Sequence, residues 1–139
     1  MRGLVWFTHM GFPESKFPVK GTYTAQSPSL YKTLDYDQDE IWREIKRVCD
    51  EDKEGKFTPG QQIYYNAPFF CNPILFRDPE LERIINEYYY CTRLNIPLGK
   101  DLDSTSAWRI QCFAIIHTEV IALENRKIEM QRKNAAKHS

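Results

Sequence analysis

The longest unbroken pattern of apolar and polar positions runs from Ser104 to Lys133, a stretch without Gly or Pro. At about 100° per residue, Trp108, Cys112, Ile115, Ile116, Leu123 and Met130 gather on one broad apolar face, widened by Phe113 and Val120. Ile110, Ile121 and Ile128 form a narrower stripe roughly opposite. One apolar face packs a helix on a core, and a second stripe calls for a second partner. The pattern therefore predicts a long helix over about 104–133, capped by Asp103 or Ser104, with two contact faces.

Two shorter patterns precede it. Asp37 followed by Glu40 resembles a capping box and opens a helix expected over about 37–53, with Gly55 placed to end it as a left-handed cap. Ile41, Trp42, Ile45, Val48 and Cys49 share its apolar face, while Arg43, Lys46 and Arg47 lie on the other. Asp78-Pro79-Glu80 supplies an N-cap and a proline at the first helical position for a helix over about 78–93. Leu81, Ile84, Ile85, Tyr88, Cys91 and Thr92 make its clean face, and Tyr90 stands out among its polar residues.

The rest of the chain lacks a helical period. Residues 1–36 interleave Gly and Pro with aromatics. Leu4 to Thr8 and Val19 to Ala25 read as short strands, with an extended arm as the equal alternative. Between 56 and 76, Phe57-Thr58-Pro59-Gly60 reads as a turn and Gln62 to Tyr65 as a short strand or extended piece. Prolines then break up an apolar run that fills a core irregularly. The expectation is one α-rich α+β domain over 1–139. It has three helices and an irregular or weakly β-stranded N-terminal third, which is a small sheet or an arm.

Composition narrows the function classes. The chain has 139 residues, enough to bury a core. Lys plus Arg equals Asp plus Glu, 19 each, whereas a nucleic-acid binder usually carries a basic excess. No run is long enough to span a bilayer, and the first residues lack the apolar segment of a secretory signal. The expected location is cytoplasmic, or within an assembly made there, and not secreted. Cys49, Cys71, Cys91 and Cys112 are then expected to stay reduced.

Few residues form a pattern that carries chemistry. Asp50, Asp52 and Glu54 occupy alternate positions before Gly55, a run that resembles the calcium loop of EF-hand proteins. Gln61 stands where that loop needs a bidentate carboxylate, and Pro59-Gly60 intrudes before the exit. A capped acidic helix end followed by a turn is the favoured reading, with no metal. Asp35, Asp37 and Asp39 read as capping acids. Cys112 and His117 are five residues apart, which turns them about 140° away from each other on a helix. No catalytic residues and no cofactor are expected. Arg126, Lys127, Arg132 and Lys133 make a basic end, whose default role is to offset the helix dipole.

These readings lead to a small non-enzymatic interaction or structural subunit that oligomerises or docks into a larger assembly. Its expected interface is Ile110, His117, Ile121, Ile128 and Tyr90, and its partner is another protein or a second copy. Compact size, an extended N-terminal segment and a terminal helix with a basic tail are similar in style to small phage assembly or connector proteins, though no motif is diagnostic. The alternatives are a nucleic-acid accessory protein working through the basic end, and an inhibitor-type binder of a host protein.

Overall fold

A computed structural model describes residues 1–138. Their order is α1 (Arg2–Met10), β1 (Tyr23–Gln26), β2 (Thr33–Tyr36), α2 (Gln38–Asp50), α3 (Pro59–Asn66), α4 (Pro79–Arg93) and α5 (Ala107–Lys137). Two short 3-10 turns, Ala67–Phe69 and Pro73–Phe76, lie between α3 and α4. The chain is helix-rich with a two-stranded sheet, but the described residues hold five α-helices rather than three. It forms two compact units, Met1–Asp78 and the chain from Pro79 onward.

Both additional helices correct a strand reading. Leu4 to Thr8 lies within α1, where Gly3, Leu4, Val5, Trp6 and Phe7 are all buried. Burial around the whole circumference erases the 3.6-residue period, and a short apolar run then looks the same for strand and helix. Gln62 to Tyr65 lies within α3. The Thr58 side chain accepts a hydrogen bond from the Gln61 amide at 3.2 Å, and Pro59 occupies the first helical position. This is the same start chemistry that marks Asp78-Pro79.

Within the first unit, β1 and β2 pair antiparallel, with Tyr23 opposite Tyr36 and Ala25 opposite Leu34. Those four side chains join the core, while Thr24, Gln26, Thr33 and Asp35 remain exposed, as expected for a sheet wetted on one face. Aromatic rings hold this core together. Phe17 stacks on Tyr23 at 5.2 Å, Tyr23 on Tyr36 at 6.0 Å, and Tyr36 on Phe70 at 5.5 Å. Phe7 lies between Phe12 and Phe76 at 5.5 and 5.8 Å. The N-terminal third is thus a helix and a hairpin whose aromatics are mostly core.

Helix α2 begins as expected, with the Asp37 carboxylate accepting the Glu40 amide at 2.8 Å. It ends at Asp50, earlier than the expected 53. Gly55 adopts φ 68° in the turn beyond the helix, so its left-handed conformation serves the loop rather than a helix cap.

The second unit pairs α4 with α5. Ile84, Ile85 and Tyr88 of α4 are buried, as are Cys112, Ile116, Glu119, Val120 and Leu123 of α5. Helix α5 starts at Ala107 rather than near 104 because the preceding residues form a turn. The Ser104 amide donates to the Asp101 carboxylate at 2.7 Å, and Ser106 becomes the cap, accepting from the Arg109 amide at 3.1 Å. No helix among the described residues is long and apolar enough to cross a membrane.

Candidate interaction surface

Helix α5 has 31 residues against 15 in α4, so it is longer by about 24 Å at 1.5 Å per residue. Its buried positions stop at Leu123. Beyond that point Met130, on the core-facing side, is 40% exposed. Trp108, near the start of the same face, is also exposed. The core face is therefore confined to the first part of the helix.

The opposite stripe is the larger feature. Ile121 is 44% exposed and Ile128 46%. Ala114, His117, Glu124, Asn125, Arg132 and Ala135 are exposed along the same side, and Ile110 is half-buried. Ile110, His117, Ile121 and Ile128 therefore do share one side of α5. Tyr90 is 63% exposed on α4. His117 keeps one ring nitrogen at 2.7 Å from the Tyr88 hydroxyl, which ties the stripe's edge to the α4–α5 packing. The Tyr88 ring meets Phe113 edge-on at 5.6 Å.

Ion pairs fix the entry of α5. Glu87 accepts from Arg83 at 2.5 Å and from Arg109, and the Arg109 guanidinium also lies 4.8 Å from the Phe113 ring centre. The Arg109 hydrogen bond, more than any other contact, holds the Glu87 carboxyl below the usual carboxylate range.

The basic end divides into two sets. Glu129 pairs with Arg126 and with Lys133, each at 3.2 Å. Lys127 and Arg132 have no ion-pair partner among the described residues. The four cations therefore do not act as one free patch. Asp50, Asp52 and Glu54 are not drawn together as a ligand set either. Asp50 ends α2, the Asp52 carboxylate accepts the Phe57 amide at 2.7 Å, and Glu54 lies 3.9 Å from Lys56. Among the described residues no group of three His, Cys, Asp or Glu side chains is placed to hold a metal ion.

Two features of the first unit escape the sequence patterns. One is a cleft of about 450 Å³ whose lining includes Phe7, Met10, Phe12, Tyr64, Tyr65 and Phe69. It joins the end of α1 to α3 and the turn after it, two helices that sequence periodicity does not reveal. The other is a buried carboxylate. Glu44 accepts hydrogen bonds from the Ser27 hydroxyl, from the Ser29 amide at 3.2 Å and hydroxyl at 2.8 Å, and from Arg47 Nε at 2.7 Å. Burial alone would raise its pKa, but these bonds together hold it below the ordinary value. The available signal is Glu44 itself, a charged residue between Ile41 and Ile45 on the apolar side of α2.

No family model, no curated protein and no solved structure matches the chain.

Proposed function

We propose that this chain is a small non-enzymatic interaction subunit that works by association, through the exposed stripe of α5, with another protein or with its own kind. The observation that carries the proposal is the run of exposed apolar positions Ile121 and Ile128. It lies on a helix whose core-facing side is already occupied up to Leu123. Singly exposed isoleucines are ordinary, but two that recur on one side of a long terminal helix form a docking stripe. The buried carboxylate suits a structural role as well. Glu44 is saturated by Ser27, Ser29 and Arg47, which leaves it committed to holding a loop.

Docking into a larger assembly, such as the viral particle or connector that the overall style suggests, belongs to the same proposal. Pairing of Arg126 and Lys133 with Glu129 weighs against the basic end as the main contact surface. The test is Ile121→Glu, placed at a half-exposed position. Its helical circular dichroism and melting temperature should stay unchanged while association in light scattering and partner capture are lost. A variant that unfolds would assign Ile121 to the core. A wild-type chain that stays a sharp monomer at high micromolar concentration and captures no partner would remove the proposal.

A further inference from the structure

We infer that the occupant of the α5 stripe is a second copy of the same stripe, laid antiparallel with its two-fold axis near Ile128; this rests on the docking role proposed above. The exposed positions Ile121, Glu124, Ile128, Arg132 and Ala135 advance by three or four residues, so they remain on one side of a nearly straight helix. The set is symmetric about its centre. Reversing a second helix over Ile128 sets Ile128 on Ile128, Glu124 on Arg132 and Ile121 on Ala135. A two-fold interface has this self-complementary form, in which residue i meets j and j meets i.

The charges support this register. Glu124 and Arg132 have no ion-pair partner among the described residues. They lie eight residues apart, about 12 Å along the axis, too far to pair with each other. Antiparallel pairing joins them twice across the interface. A parallel pair in register would instead set Glu124 on Glu124 and Arg132 on Arg132. The neighbouring cations are partly offset or turned away from the seam. Glu129 pairs with both Arg126 and Lys133 and offsets one of their two charges, and Lys127 lies about 120° round the helix from Ile121. Alanine at 135 leaves room for the larger Ile121 side chain.

Equilibrium sedimentation of the full chain tests the arrangement. Wild type should form a dimer in the micromolar range that weakens with salt. Glu124→Arg and Arg132→Glu should each weaken it by about tenfold or more, since two attractive pairs become repulsive. Mixing these two variants should restore the dimer, because the two arginines of one variant's stripe then face the two glutamates of the other's. Both positions are exposed, so the folds should be unchanged by circular dichroism. Association that Ile121→Glu abolishes but neither charge reversal alters would overturn the antiparallel pairing and leave the docking role standing. A wild-type monomer at high micromolar concentration would also overturn the pairing, and the docking role would then depend on capture of a different protein.

Discussion

At the scale of single residues, Glu44 is tightly constrained. It is fully buried, and all of its acceptor capacity is directed at the loop between the strands and at Arg47. Glu44→Gln removes the charge and one of the two acceptor oxygens facing Ser27 and Ser29 and leaves Arg47 paired with Glu40 alone, so it should destabilise the chain by about 2–4 kcal/mol. The same carboxylate makes stability depend on pH in a definite direction. Its folded pKa is below the unfolded value of about 4.5. Its contribution is therefore complete above that value and is lost as pH falls through the folded value. Denaturant titrations across the acidic range should show wild type losing stability more steeply than Glu44→Gln. Equal slopes would mean that the buried carboxylate is not the group responsible. The loop that Glu44 anchors also contains Tyr31, 79% exposed at φ 58°. Left-handed backbone is costly for a bulky side chain and tolerated by asparagine. Tyr31→Asn should therefore raise stability by about 0.5–1 kcal/mol, and a loss measured in thermal melts would contradict that account.

At the scale of elements, α1 and α3 depend on one close approach. A Cβ at Gly3 would lie 2.5 Å from Cγ2 of Ile63, so glycine there allows the helices to touch. Gly3→Ala gains helix propensity worth roughly 1 kcal/mol but overpacks the contact at a cost of about 1–3 kcal/mol. The net effect should be destabilising. In an Ile63→Ala background the 2.5 Å contact is gone and only a 3.2 Å approach to the Cβ of residue 63 remains, so the same substitution should cost much less. A double-mutant cycle reads that coupling directly, and additivity would mean the two residues do not limit the approach. The same pair of helices shows where sequence reasoning stops. Helices α2, α4 and α5 are legible because each has one wet side, so Ile41, Ile45 and Val48, or Ile84, Ile85 and Tyr88, recur with the helical period. Helix α1 is buried at five consecutive positions and has no period to read. Helix α3 is only eight residues long and rich in Tyr and Gln. Its Thr58-Pro59 start is visible in the sequence, but the same residues serve a turn equally well. The α5 stripe is legible from Ile110, Ile121 and Ile128 alone. The cleft and the Glu44 cluster are not, because both are made by residues distant in sequence.

At the scale of the whole molecule, the four cysteines provide a readout of integrity in both compact units. All four are free thiols, with Cys71 and Cys112 buried and Cys49 and Cys91 partly accessible. Burial pushes the Cys71 thiol up to about 12 and raises that of Cys112 as well, so neither offers a thiolate near neutral pH. A disulfide reagent at mildly alkaline pH should therefore titrate two thiols quickly and two slowly, and Cys71→Ser and Cys112→Ser should each remove one slow thiol. Cys71 reports on Met1–Asp78 and Cys112 on the chain from Pro79 onward, so each slow phase follows the opening of its own unit. If exposure requires unfolding, both slow rates should rise with denaturant. Four thiols reacting at one fast rate in the native protein would show that these cores are open in solution. With both slow thiols protected, loss of association in an α5 variant can be assigned to the stripe rather than to a loosened fold.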